Sequence, residues 1–151
     1  LIAEAHAEGL LVVLWIYPRG EAVTDEKAAD LIAGAAGVAL CLGADFVKVN
    51  PPAAADGKSS AELLAVASRA AGRTGLVCAG GSKADAREFL ASLYDQIHVG
   101  GAVGNATGRN IHMRSLDEAV RLTQAISAIT LGDYDVEEAM DVFEGKEHFT
   151  F

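Results

Sequence analysis

The sequence has little cysteine, little proline, no long apolar run and no surplus of positive charge. Two cysteines in 151 residues cannot build a disulfide framework, and neither Cys41 nor Cys78 falls in a CxxC or metal-ligand spacing. Both read as small core residues of a protein kept in a reducing compartment. The longest apolar stretch, Leu10 to Ile16, is far short of the roughly 20 residues a membrane-spanning helix needs. Nothing before it reads as a signal peptide, so a cytoplasmic protein with no membrane partner is expected. Twelve Lys and Arg against 21 Asp and Glu leave a formal net charge of −9. That balance excludes the broad basic surface that nucleic acid or an anionic membrane requires. Any anionic substrate must be met by local cations. His6, His98, His112 and His148 share no metal-ligand spacing and read as ordinary residues.

The apolar content, 51%, suits one ordinary globular core. Regular elements follow one another with short turns. After a helix over Ile2 to His6, Leu10 to Tyr17 is a continuous apolar run bounded by Pro18 and Gly20, as in a strand buried on both faces. Thr24 or Asp25 opens a helix with Leu31, Ala35, Val38 and Leu42 on one face, closed by Gly43. Asp45 to Asn50 is the second strand. Ser59 or Ser60 caps the next helix, Thr74 to Ala79 is the third strand, and a helix bearing Phe89, Leu90, Leu93, Tyr94 and Ile97 follows Gly80-Gly81. Ala102 to Thr107 is the fourth strand. Ser115 and Glu118 form a capping box at the head of another helix, and an acidic helix runs from Val136 to Phe143. Strand and helix alternate four times, which implies a parallel sheet covered by helices. An open doubly wound sheet and half of an eight-stranded barrel both satisfy that order.

Alternation along the strands separates two kinds of surface. Val12, Leu14, Ile16, Val47 and Val49 form an aliphatic side suited to packing under helices, whereas Val13, Trp15, Tyr17, Phe46, Lys48 and Asn50 share the other side. Lysine is almost never buried unless it is paired or used, so Lys48 in mid-strand points into something enclosed and polar. A desolvated amine is held neutral and can attack a carbonyl; the plain alternative is an ion pair with a carboxylate such as Asp45. Tyr17, at the end of the neighbouring strand, could relay a proton, and Trp15 could wall a pocket; plain core packing is the other reading of both. Gly80-Gly81-Ser82-Lys83 and Thr107-Gly108-Arg109-Asn110 each follow a strand. Glycine loops with a cation at that end of a barrel commonly bind phosphate through backbone N–H groups and a helix N-terminus.

Trp15-Ile16-Tyr17-Pro18-Arg19-Gly20, Gly43-Ala44-Asp45-Phe46-Val47-Lys48-Val49, Ala79-Gly80-Gly81-Ser82-Lys83 and Thr107-Gly108-Arg109-Asn110-Ile111 stand in an order that resembles the archaeal-type class I fructose-1,6-bisphosphate aldolases, the DeoC/LacD-like group. The resemblance runs to about Ile129. It implies a (β/α)8 TIM barrel of which this chain supplies about strands 5 to 8, as the C-terminal half of a single domain over 1–151 with an acidic tail from about 133. Lys48 then matches the Schiff-base lysine and Tyr17 the proton-transfer residue, while Trp15 lines the pocket. Gly80, Gly81, Gly108 and Arg109 match the phosphate loops. The implied protein is a lyase acting on a phosphorylated sugar as a homo-oligomer, without metal or organic cofactor. Ala79 stands where many members carry serine, and the family's first four strands, with their aspartate, have no counterpart here. A partial sequence is expected, or one that completes its barrel against another chain. The competing readings are a related lysine-dependent sugar-phosphate aldolase or thiolase, and a catalytically silent phosphate-binding half barrel.

Overall fold

The computed structural model describes residues 1–150. It contains four strands, β1 (Val13–Trp15), β2 (Phe46–Val49), β3 (Gly75–Ala79) and β4 (Gly104–Ala106), all parallel and paired in chain order. Helices α2 (Ala29–Leu42), α3 (Ser60–Ala71) and α4 (Ala86–His98) cross between them. Helix α1 (Ile2–Ala7) precedes β1, and α5 (Arg109–His112), α6 (Leu116–Gly132) and α7 (Val136–Glu144) follow β4. A doubly wound sheet reverses its strand order at a switch point. This sheet does not, so the strand order is that of a barrel wall.

The helices begin where their caps allow. Of the serine pair, Ser59 is the N-cap of α3 and forms a capping box with Glu62, and Ser115 with Glu118 does the same for α6. The expected start of α2 at Thr24 or Asp25 is displaced to Ala29. The Asp25 carboxylate instead accepts Lys27 N–H at 2.9 Å and holds a turn. The short α5 was not legible. β1 and β4 are shorter than their apolar runs, because only three residues of each are in register with the neighbouring strand.

One core lies between the sheet and α2 and α3, where Val47, Val49, Leu76 and Cys78 pack under Ile32, Ala36, Leu64 and Ala67. Burial pushes the Cys78 thiol up to about 12. The expected face of α2 is corrected here: Ala35 is buried, but Val38 is 51% and Leu42 57% exposed. The buried stripe is Ile32, Ala35, Ala36 and Ala39. A helix apolar on most sides does not reveal its inner face by periodicity, and small alanines let α3 approach closely. Cys41 sits on the outer side and is exposed, against the expectation of a core thiol. A second core joins α4, α6 and α7 through Leu90, Leu93, Leu122, Ile129 and Val142. The acidic C-terminal segment thus docks, fixed at its rim by a two-pronged Arg87–Glu137 pair. Among the described residues no helix is long and apolar enough to cross a membrane.

Candidate active site

Parallel register sets Trp15, Lys48, Val77 and Gly104 side by side in one row across the sheet. Burial alternates along β2, with Val47 and Val49 fully buried and Phe46 and Lys48 half-buried. The row therefore lies on the face turned away from the helices, as the alternation predicted. That face is open rather than enclosed: Trp15 is 67% exposed. Lys48 Nζ stands 3.5 Å from the centre of the Trp15 ring, close enough for the ring face to hold a cation in place.

The ion-pair alternative for this lysine fails on geometry. Asp45 points to the other end of the strand, where its carboxylate accepts Val12 N–H at 2.7 Å and His6 Nε2–H at 2.9 Å. These donors, Val12 first, hold the carboxyl below the usual aspartate range. Among the described residues no carboxylate pairs with Lys48.

Lys48 lines a half-open cleft of about 400 Å³ over the C-terminal ends of the strands, together with Tyr17, Gly81, Gly108 and Arg109. Arg19 and His112, neither singled out from sequence, line it as well. No Asp or Glu does, although the chain carries a net charge of −9. The local cations demanded of an acidic protein with an anionic ligand are therefore gathered at one place. Arg19 also lies 5.6 Å from the Tyr17 ring centre and pairs with Glu26 at 3.3 Å.

The two glycine loops meet at the cleft rim. A side chain at Gly80 would put its Cβ 2.7 Å from Thr107 Cα, so only glycine lets the loops approach this closely. The Gly80 N–H is already engaged by Ala106 O at 3.1 Å, and Gly80 lines a smaller neighbouring cavity instead of the lysine cleft. Gly81, with φ +66°, lines both. Among the described residues no acceptor meets the N–H of Gly81 or of Gly108. Of the residues the sequence pattern names as one group, Tyr17, Lys48, Gly81, Gly108 and Arg109 line the cleft, Trp15 stands against Lys48 outside its lining, and Gly80 faces the neighbouring cavity. Arg19 reaches the cleft from the segment after β1 and His112 from the end of α5, positions far apart in the chain.

A sheet of sequential parallel strands, with an unpaired strand lysine facing a cleft at the strands' C-terminal ends, has the layout of a ligand site on a (β/α)-barrel wall. The chain belongs to the DeoC/LacD family of aldolases, whose family model matches residues 2–114. It is 52% identical over 145 residues, 96% of its length, to the fructose-bisphosphate aldolase/6-deoxy-5-ketofructose 1-phosphate synthase of Methanocaldococcus jannaschii, and covers 46% of that protein. Its structure matches the solved fructose-bisphosphate aldolase from Slackia heliotrinireducens with a TM-score of 0.96 and 74% identity, covering all of this chain and 48% of that one. An archaeal fructose-1,6-bisphosphate aldolase, solved with its catalytic lysine bound to the carbinolamine intermediate of the substrate, matches at TM-score 0.71 and 28% identity over 85% of this chain and 48% of its own. The chain thus spans about half the length of the relatives it matches, and its four-stranded sheet is one half of a (β/α)8 barrel.

Proposed function

We propose that the chain is the lysine-bearing C-terminal half, about strands 5 to 8, of a class I aldolase that reversibly cleaves fructose 1,6-bisphosphate to dihydroxyacetone phosphate and glyceraldehyde 3-phosphate. The observation that carries this reading is Lys48, which has no carboxylate partner among the described residues and faces a cleft that Arg19 and Arg109 line and no Asp or Glu does. Its amine adds to the ketose carbonyl, and loss of water from the carbinolamine gives an imine. The bond between the third and fourth carbons then breaks, its electron pair passing into the protonated imine to form an enamine and the aldehyde product, while Tyr17 relays the 4-hydroxyl proton, its phenol taking that proton as it hands its own to water. The enamine regains a proton on carbon, and water hydrolyses the imine, freeing dihydroxyacetone phosphate and Lys48. Arg109, with the Gly80-Gly81 and Gly108 loops, holds a phosphate group, and Trp15 keeps the lysine against one wall. No metal or organic cofactor is called for, because the imine itself takes up the electron pair. Free thiols at Cys41 and Cys78 support a cytoplasmic location, and exposed apolar residues such as Leu116 and Val120 support assembly as a homo-oligomer.

The double name of the Methanocaldococcus relative favours one second reading, in which the same lysine serves another ketose phosphate. Borohydride reduction of the full-length protein in the presence of dihydroxyacetone phosphate, followed by peptide mass spectrometry, tests the chemistry. The expected result is a reduced adduct on Lys48 that disappears in Lys48→Met. A wild-type protein that traps no carbonyl at Lys48 sinks both aldolase readings and leaves a silent phosphate-binding barrel.

A further inference from the structure

We infer that Asn110 is a positioning residue of this site, a clamp that fixes the loop after β3 against the turn after β4 at the spacing a phosphate needs; the nature of the ligand rests on the aldolase reading above. Asn110 is 1% exposed, one of the few buried polar side chains among the described residues. Its Nδ2 donates to Gly80 O and to Ser82 O, each at 2.9 Å, and its Oδ1 accepts Ala84 N–H at 2.9 Å. One side amide thus bonds to three residues of the opposite loop, using both its donors.

Neighbouring residues repeat the pattern. Arg109 Nε donates to Gly81 O at 3.1 Å, and Arg114 donates to Ala84 O at 2.9 Å and to Asn110 O at 2.8 Å. The carbonyls of Gly80, Gly81, Ser82 and Ala84 are therefore all engaged by donors from the segment 109–114. An anion is repelled by carbonyl oxygens and attracted by N–H groups, so a phosphate loop needs its carbonyls occupied elsewhere. The clamp does this while the N–H groups of Gly81 and Gly108, two residues that line the lysine cleft, keep no acceptor among the described residues. Removing Asn110 leaves two carbonyls and one N–H without this partner in a part-buried place, and the cheapest relief is rotation of the Gly80-Gly81 peptide.

The test is a phosphate titration of the full-length protein, following the Gly81 and Gly108 amide resonances, in wild type, Asn110→Ala and Asn110→Asp. The aspartate keeps the acceptor for Ala84 N–H but sets a carboxylate against two carbonyls. Both variants should need at least about tenfold more inorganic phosphate for half-saturation, the loss expected when a buried hydrogen-bonding partner is removed, with Asn110→Asp the worse. In borohydride trapping, the ratio of the rate with dihydroxyacetone phosphate to that with unphosphorylated dihydroxyacetone should fall by a similar factor. If Asn110→Ala does not fold, Asn110→Ser, which retains one hydroxyl donor, replaces it. Unchanged phosphate midpoints, or equal losses with the two carbonyl compounds, overturn the clamp, as does a wild type that binds no phosphate at these amides. A wild type that binds phosphate there but traps no carbonyl sinks the aldolase reading and leaves the clamp standing.

Discussion

The two faces of the sheet obey different rules. On the helix side Val47, Val49, Leu76 and Cys78 are at most 2% exposed and belong to one apolar cluster. One residue away along the same strands, Phe46, Lys48 and Val77 remain half-buried, and a charge stands among them. The first face is replaceable by anything of similar volume, since packing is all it supplies. On the second, the role proposed for Lys48 is chemical, so substitution there should abolish carbonyl trapping while costing little stability. Residues two apart share a role here and residues one apart do not.

The sharpest break of that contrast comes from Tyr17→Phe. Removing the hydroxyl while keeping the ring should leave borohydride trapping of dihydroxyacetone phosphate on Lys48 intact, but slow cleavage turnover by about 10²- to 10⁴-fold, the usual worth of a positioned proton carrier. Stopped assays of cleavage beside trapping on the same sample separate the two steps. Equal loss in both would mean that Tyr17 shapes the cleft and carries no proton.

On the other face, Leu76→Ala should lower unfolding free energy by about 2–5 kcal/mol. Val77→Ala, the next residue on the open face, should cost much less. Urea midpoints measure both, provided the slopes agree with wild type. Equal costs at the two positions would show that the open face is covered in the full-length protein as tightly as the helix side.

Which parts of this could be read from sequence follows the same division. β2 was legible because Pro51-Pro52 stops it and its two sides differ in chemistry, and α6 because its capping box is local. The inner face of α2 was not, since Leu31, Ile32, Val38 and Leu42 offer apolar residues in every direction and tertiary packing chose the alanines. At the site, Lys48 declared itself by being charged in an apolar strand. The place of Arg19 and His112 in the cleft and the inward turn of Asn110 could not be read, because each depends on how segments far apart in the chain converge.

The smallest effect sharpens a second comparison, between the two ends of β2. At its N-terminal end Asp45 is tied to Val12 and His6, whereas Lys48 has no charged partner. With the carboxylate ionised, His6 Nε2 must supply the hydrogen. A carboxyl whose folded pKa is depressed contributes stability above its unfolded value, ordinarily about 3.9, and loses it as pH falls through the lower folded value. Asp45→Asn removes that dependence but keeps an oxygen for Val12 N–H. The stability gap between wild type and Asp45→Asn should therefore be widest near neutrality and close as pH drops below the aspartate range. Urea melts from pH 7 to about 3 give the curve. A gap that stays constant across that range would mean Asp45 holds α1 and β1 by shape and hydrogen bonding alone, its charge contributing nothing.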